Sequence, residues 1–331
     1  MSSYQSIHLV KRPVTNIEAS CFESRSHAVE ALQDGEFRVK QTHMSLDPAM
    51  RGWMSADTES YIPPVALGDV MRASGIAEVI ESRNAQFPVG ATVMGMFGWT
   101  EQAVSNGAGI NIIPAGLPAE AVLAVLALPG MTAAQGLLEI AKPKTGETLL
   151  VSGAAGSVGS LVGQIAKAEG LHVVGVAGSD EKCRWLVEEL GFDGAVNYKT
   201  DNIAEKVAEL TPNGIDIYFE NTGGEIQQVA IDNMNAFGRI VVCGMIADYN
   251  TEQPSAGPNW IPIVKKRLSI QGFTMPDHLD KAPQLMQQVS SYLQAGKLKY
   301  RVHVLEGLGS AIEGINLLFS GENQGKLLVK L

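Results

Sequence analysis

Residues 149–159 read LLVSGAAGSVG, and this stretch decides the fold of the central part of the chain. Apolar residues typical of a buried strand come first, glycines follow at every third position, and apolar residues then recur at helical spacing. A strand, a glycine turn and a helix start let the backbone approach a pyrophosphate, which the helix N-terminus favours. The spacing is GxxGxxG, because Ala154 takes a glycine position of the GxGxxG fingerprint. We therefore predict a dinucleotide site at Gly153, Gly156, Ser157, Val158 and Gly159.

Strand and helix patterns alternate along the middle of the chain. The predicted strands cover 148–151, 172–176, 195–198, 215–219, 239–243 and 268–273. The predicted helices cover 157–169, 180–190, 202–210, 225–234 and 280–295. Such alternation, with strands rich in Val and Ile, is typical of an α/β fold with a doubly wound parallel sheet.

The two ends of the chain differ from the middle. Short β-like runs at 37–41, 73–81 and 91–97 are separated by Gly and Pro turns. The tail has strand patterns at 301–305 and 326–330, with one helix near 310–319. We expect a β domain formed by 1–125 plus 297–331, with a dinucleotide-binding domain of 126–296 inserted in it.

Composition and charge narrow the function classes. The chain has 331 residues, 45% of them hydrophobic, and a formal net charge of −10. That charge argues against nucleic acid or a membrane surface as partner, because phosphates would be repelled. The N-terminus lacks the apolar core of a signal peptide, and the apolar run 121–128 is too short to span a bilayer. We expect a soluble, cytoplasmic protein that acts on a small molecule.

The three cysteines, Cys21, Cys183 and Cys243, are scattered and form no CxxC pair. They are too few for a Cys₄ zinc site and give no disulfide framework. We interpret them as reduced thiols that pack as small apolar side chains.

The residues at the end of the second predicted strand indicate whether the cofactor is NAD or NADP. An NAD-binding strand ends in an acid about 20 residues beyond the glycines, and Asp180 lies within that range. We prefer to place Asp180 in the first turn of a helix, with Ser179 as its N-cap. Gly178 and Ser179 then leave room for a 2′-phosphate, and Lys182 can supply charge. The alternative for Lys182 is a solvated helix lysine.

Further motifs run through the whole chain. They are SLDPAMR at 45–51, GDVM at 68–71, PGMT at 129–132, GSDEK at 178–182, NYK at 197–199, FENTGG at 219–224 and NQGK at 323–326. Together with the glycine turn, they make the chain resemble the zinc-independent medium-chain dehydrogenase/reductases. Within that family it is similar to the NADPH-dependent enone and alkenal double-bond reductases. The resemblance implies a GroES-like β domain with an inserted Rossmann domain, NADP(H) as cofactor, and a homodimer.

The resemblance also implies roles for individual residues. Lys182 and Tyr198 match the residues that contact the 2′-phosphate of NADP(H). The other matched cofactor positions, near the diphosphate and nicotinamide or along the cofactor cleft, are Met131, Thr132, Asn221, Gly244, Phe273 and Asn323.

Two positions depart from the family pattern. Ala49 stands where the family motif has tyrosine, and Lys265 aligns with a second family tyrosine. Tyr249 does match a family position, so Tyr249 and Lys265 are our candidates for polar contacts to the substrate. Further substrate-pocket candidates are Ala49, Arg51, Tyr61 and Trp260. For the two aromatic residues in that set, simple packing is an equal alternative.

No metal site is expected. Zinc-dependent relatives use an early cysteine and a His-Glu pair, but this chain reads THMS at 42–45 and Gly68-Asp69 at those places. His43 alone is a poor site, because catalytic zinc takes three protein ligands. Without a metal, we expect reduction of the C=C bond of α,β-unsaturated aldehydes and ketones by hydride transfer from NADPH. The alternatives are quinone reduction on the same scaffold, or an NADPH-binding sensor without catalysis.

Overall fold

The structure is a computed structural model that describes residues 3–331 and divides into two compact units. The first, which we call the β unit, comprises the residues up to Leu123 together with Val302–Asn323 and Leu327–Leu331. The second, which we call the α/β unit, comprises Ala124–Arg301 and Gln324–Lys326.

The β unit begins with a two-stranded antiparallel sheet, β1 Ser3–Leu9 and β2 Phe22–Ala28. An antiparallel sheet follows, with one short helix after its first strand. These elements are β3 Phe37–Ser45, α1 Met50–Trp53, β4 Gly75–Ser82, β5 Thr92–Gly95, β6 Gln102–Ser105 and β7 Asn111–Ile112. Fully buried apolar side chains, Met44, Met50, Met71 and Trp99 among them, fill the core beside β1 and β3.

A long apolar segment, Ala119–Ala141, follows the sheet. Its parts are α2 Ala119–Ala121, the π-helical Val122–Leu126, α3 Leu128–Ala134 and the π-helical Gln135–Ala141. The 23-residue segment is long and apolar enough to cross a membrane, but 89% of its most apolar window is buried within the protein. Packing inside the protein therefore accounts for its composition.

The α/β unit contains a six-stranded parallel sheet. Its strands are β8 Thr148–Val151, β9 His172–Ala177, β10 Gly194–Asn197, β11 Ile215–Glu220, β12 Met234–Val242 and β13 Ser269–Gly272. Its helices are α4 Ser157–Ala168, α5 Asp180–Arg184, α6 Ile203–Leu210, α7 Glu225–Asn233, α8 Ile261–Lys266 and α9 Ala282–Gln294. The strand order is β10-β9-β8-β11-β12-β13, so the order reverses between β8 and β11. This is the doubly wound arrangement predicted from the sequence, and ligands of such sheets bind at the reversal point.

The tail adds β14 Val302–Glu306, α10 Ser310–Gly314, α11 Leu317–Ser320 and β15 Lys326–Lys330. The last strand pairs antiparallel with β3, so the tail completes the β sheet. The prediction of one helix near 310–319 is wrong, because the helix is interrupted at residues 315–316. Asn316 turns its side-chain amide to the carbonyl of Ile17, at 2.9 Å, and Gly314 is a poor helix former.

Candidate functional site

The predicted cofactor residues of the α/β unit follow the carboxyl ends of its strands, with the exception of Met131 and Thr132. All six strands are parallel, so these ends lie along one edge of the sheet. The residues at that edge are Gly153 after β8, Gly178 and Ser179 after β9, Tyr198 after β10, Asn221 after β11, Gly244 after β12 and Phe273 after β13. This is the edge at which doubly wound sheets bind nucleotides.

Steric crowding in the glycine turn explains its sequence. A Cβ at Gly159 would lie 2.5 Å from the Gly153 carbonyl oxygen and 2.9 Å from Cα of Ala154, both of them backbone atoms. Gly153 itself has a φ of 57°, a conformation that favours glycine. Ala154 is accommodated because the neighbouring strand has Gly175 there, where a Cβ would come within 2.8 Å of the Ala154 methyl. The departure from GxGxxG therefore has a local compensation.

The start of helix α4 has an unpaired hydroxyl. Gly156 is its N-cap and has no side chain to bond the first amides. The Oγ of Ser157 is buried and has no hydrogen-bond partner within residues 3–331. A buried hydroxyl beside the amides of a helix N-terminus is suited to an anionic ligand.

The start of helix α5 is as predicted. Ser179 is the N-cap, and its Oγ accepts a hydrogen bond from the Lys182 amide at 3.2 Å. Asp180 lies in the first turn, and its carboxylate accepts from the side-chain amide of Asn197 at 2.7 Å. Asp180 therefore joins the ends of β9 and β10, which explains its presence without a ribose contact.

Two lysines lie together beyond these strand ends. Burial lowers the pKa of Lys182, and repulsion from the nearby Lys199 ammonium lowers it further. The Lys199 ammonium lies 5.9 Å from the centre of the Tyr198 ring. That ring packs over Gly178, where a Cβ would come within 2.9 Å of it. The Lys182 and Lys199 ammonium groups thus place two positive charges in one pocket beyond the ends of β9 and β10, which a phosphate dianion would offset, and Glu181 partly compensates the charge of Lys182. Lys199 belongs to the NYK motif, but its role in this pocket could not be predicted from the sequence.

The ends of β11 and β12 bring three further predicted residues together. The Asn221 side-chain amide donates to the Ser152 carbonyl at 2.8 Å. A Cβ at Gly244 would lie 3.1 Å from the Tyr249 hydroxyl and 3.6 Å from the Asn221 carbonyl oxygen. The Tyr249 hydroxyl also accepts a hydrogen bond from the Met245 amide at 3.3 Å. Asn221, Gly244 and Tyr249 therefore share one surface beside the reversal point.

The remaining cofactor candidates are placed less directly. Met131 and Thr132 are buried in α3, where the threonine hydroxyl donates to the Leu128 carbonyl at 2.7 Å. The Phe273 ring approaches Gly136, at which a Cβ would lie 3.0 Å away. Asn323 belongs to the β unit, where its backbone amide donates to the Leu317 carbonyl at 3.5 Å.

The substrate candidates of the α/β unit are exposed. Lys265 is in the last turn of α8, and its ammonium makes no hydrogen bond or ion pair within the described part of the chain. Trp260 precedes that helix and is 60% exposed. The structure therefore does not join either side chain to Tyr249.

The candidates of the β unit have different surroundings. Arg51 is buried, which lowers its pKa, and it donates to the carbonyls of Val14 at 2.9 Å and Pro13 at 3.2 Å. These contacts give the Arg51 guanidinium a structural role in holding the loop before β2. Ala49 is half-buried beside the apolar core, and Tyr61 is 54% exposed.

His43 is a partly buried histidine with local partners. Its Nδ1 lies 3.1 Å from the Thr42 hydroxyl, and its Nε2 lies 3.5 Å from the Glu120 carboxylate. Burial lowers its pKa. Within residues 3–331, no three or more His, Cys, Asp and Glu side chains are grouped so as to hold a metal ion.

Comparison with known proteins places the chain among the oxidoreductases. A family described as the N-terminal domain of oxidoreductases matches residues 5–113, and one described as zinc-binding dehydrogenases matches 157–291. The chain is 41% identical to prostaglandin reductase 1 of Bos taurus, over 94% of each protein. It is 38% identical to the NADPH-dependent curcumin reductase of Escherichia coli, over 90% of this chain and 88% of that protein.

A crystal structure extends the similarity to three dimensions. CurA from Vibrio vulnificus, in complex with NADPH, superposes with a TM-score of 0.93 at 37% identity, over 98% of both chains. The fold, the nucleotide edge and these similarities define a medium-chain oxidoreductase. The chain belongs to the medium-chain dehydrogenase/reductase family, in the branch that contains the prostaglandin, curcumin and 2-alkenal reductases.

Proposed function

We propose that this protein is an NADPH-dependent reductase of the C=C bond of α,β-unsaturated aldehydes and ketones, and that it works without a metal. The observation that carries the proposal is the pocket of Lys182, Lys199 and Tyr198 beside the glycine turn. It supports the cofactor, and the reaction follows from relatives named curcumin reductase and 2-alkenal reductase.

The residues fit NADP(H) along its length. The glycine turn and the Ser157 hydroxyl would hold the diphosphate, since the glycines carry no side chain over the backbone amides and the hydroxyl has no partner within residues 3–331. Lys182 and Lys199 pair with the 2′-phosphate, and the Ser179 hydroxyl has one hydrogen to donate to it. When bound, NADPH supplies a hydride to the β-carbon of the substrate.

The protein has to stabilise the enolate oxygen that forms on hydride transfer, and the α-carbon of the substrate has to be protonated. Tyr249 is the better-supported contact, because its hydroxyl lies beside Gly244 on the surface shared with Asn221. Lys265 is the second proposed contact, and Trp260 of the same unit is proposed to contact the substrate; Ala49 and Tyr61 of the β unit are proposed as substrate contacts in their own right. Tyr249→Phe should lower kcat on an enone and leave the Kd of NADPH within about twofold.

The test of the reaction is a substrate panel with purified protein and NADPH. Turnover of enones and enals that exceeds turnover of quinones supports the proposal. Faster reduction of quinones supports the alternative, quinone reduction on the same scaffold. Tight NADPH binding without turnover of any electrophile would instead identify an NADPH-binding sensor.

We also propose a cytoplasmic homodimer that binds small molecules and neither nucleic acid nor membranes. The net charge of −10 supports the exclusion of nucleic acid and membranes. The edge strand β13 supports the dimer, because all four of its residues are exposed and unpaired edges favour pairing with another strand. The adjacent helix exposes Ile261 at 60% and Val264 at 80%. Light scattering of the purified protein would show the mass of two chains if the proposal is correct.

A further inference from the structure

A buried carboxylate lies at the reversal point of the sheet. Glu220 ends β11 and is fully buried. Its Oε1 accepts hydrogen bonds from the Ser152 hydroxyl at 2.8 Å and from the backbone amides of Thr222 and Gly223 at 2.7 and 2.9 Å. Its Oε2 accepts from the Tyr218 hydroxyl at 2.8 Å. Every one of these neighbours donates, which is the pattern of an ionised carboxylate.

The negative charge of the Glu220 carboxylate is stabilised by the dipoles of the hydroxyl and amide groups that donate to it. In the described part of the chain, no lysine, arginine or histidine forms an ion pair with Glu220. Burial, and then the charge of Glu220, raise the pKa of Tyr218 well above its usual value and that of Cys243 to about 12. A charge buried in this way is costly unless hydrogen bonds offset the cost, so the groups that donate to Glu220 are held firmly in place.

The partners of Glu220 build the loop that follows it. Ser152 donates to Glu220 and at the same time accepts from the Asn221 amide at 2.9 Å. The Asn221 side chain returns to the Ser152 carbonyl at 2.8 Å. The Glu220 carbonyl accepts from the amides of Cys243 and Gly244, at 2.9 and 3.2 Å. One residue therefore fixes the ends of β8, β11 and β12 relative to each other.

The loop that Glu220 fixes lies on one side of the reversal point. Such sheets bind one half of a dinucleotide over each half of the sheet. A 2′-phosphate bound by Lys182 and Lys199 would put the adenosine half over β8–β10, and the nicotinamide half would then lie over β11–β13. The loop lies close to the glycine turn, since a Cβ at Gly153 would lie 3.3 Å from both Asn221 and Thr222.

We propose that Glu220 is a positioning residue for the nicotinamide half of the cofactor. Its carboxylate does not touch the cofactor but holds Asn221, Thr222 and Gly223 in the conformation that binds it. The inference rests on the proposed function, because it assumes NADPH as the ligand.

The test separates the two halves of the cofactor. Glu220→Gln keeps the size of the side chain but turns an NH₂ group toward donors. Calorimetry with NADPH and with 2′,5′-ADP, which lacks the nicotinamide half, should show a loss on the order of tenfold for NADPH. The affinity for 2′,5′-ADP should stay within about twofold. Ser152→Ala removes the link between Glu220 and the Asn221 amide and should give the same selective loss, which keeps the test available if Glu220→Gln does not fold.

Tyr218→Phe is the matched control, because it removes the donor to Oε2 of Glu220 and leaves the donors to Oε1, which build the loop, in place. It should lower the Tm and leave the ratio of the two affinities unchanged. The proposal would be overturned if Glu220→Gln weakened the binding of both ligands equally or of neither. It would also be overturned if Tyr218→Phe showed the same selective loss for NADPH. Wild-type protein that binds neither ligand would overturn the proposed function and this inference with it. Wild-type protein that binds both ligands but reduces no enone would overturn the proposed reaction alone.

Discussion

Replacing Lys182 with alanine tests the cofactor assignment most directly. The ammonium is part-buried, and its pKa is lowered by burial and by the charge of Lys199. A charge-assisted hydrogen bond contributes about 1.5–3 kcal/mol, or on the order of tenfold to a hundredfold in affinity. Because Lys199 stays in the pocket, we expect Lys182→Ala to give the lower end of that range for NADPH. NADH has no 2′-phosphate, so its affinity should be unchanged.

The assay is calorimetric titration of wild-type and variant protein with NADPH and NADH. The double variant Lys182→Ala/Lys199→Ala should lose on the order of a hundredfold for NADPH. Lys206→Ala is the control, since that lysine pairs with Glu209 on an exposed face of α6. The free protein should be no less stable in Lys182→Ala, because the variant removes repulsion between two cations. Equal weakening of both nucleotides by Lys182→Ala, or wild-type protein that prefers NADH, would refute the reasoning.

Three further predictions concern the turn and the β unit. Ser157→Ala should raise the Tm of the free protein, because it removes a buried unpaired hydroxyl, and should weaken NADPH binding; a melting curve and a titration check the two signs. Gly159→Ala should abolish measurable NADPH binding or folding, since its Cβ would lie 2.5 Å from the Gly153 carbonyl oxygen. The control is Gly52→Ala, which has open space at its Cβ and should change the Tm little. Burial lowers the pKa of His43, so below about pH 6.5 the unfolded chain binds more protons than the folded protein, and the free energy of unfolding falls as the pH drops. His43→Gln should reduce this pH dependence, which urea titrations at pH 5.5 and 7.5 would measure.

Secondary structure in the α/β unit could be predicted because local patterns agree with the fold. The strand at 148–151 has the bounds expected from its apolar run, and the helix after it begins at Ser157 as expected. The helix at 310–319 could not be predicted as two, because the apolar spacing continues through the interruption, where Asn316 contacts Ile17, a residue 299 positions away. Periodicity gives no information about such a partner.

The cofactor pocket shows the same limit. Lys182 can be predicted from its place about one turn beyond the end of the second strand and from the family resemblance. Lys199 lies 17 positions further on, and only the parallel register of β9 and β10, which pairs Ala177 with Asn197, brings it beside Lys182. The repulsion between the two ammonium groups, and so the charge of the pocket, is a tertiary property.

Arg51 and Glu220 show why a motif identifies a position and leaves its chemistry open. Both are charged, buried and part of a family motif, and we expected a substrate role only for Arg51. The Arg51 guanidinium donates to carbonyls of a loop in the β unit, so replacing it should destabilise that loop first. The donors of Glu220 belong to the residues that face the nucleotide edge, so replacing it should change ligand binding first. Where the hydrogen-bond partners lie decides which property each buried charge controls, and a sequence motif does not contain that information.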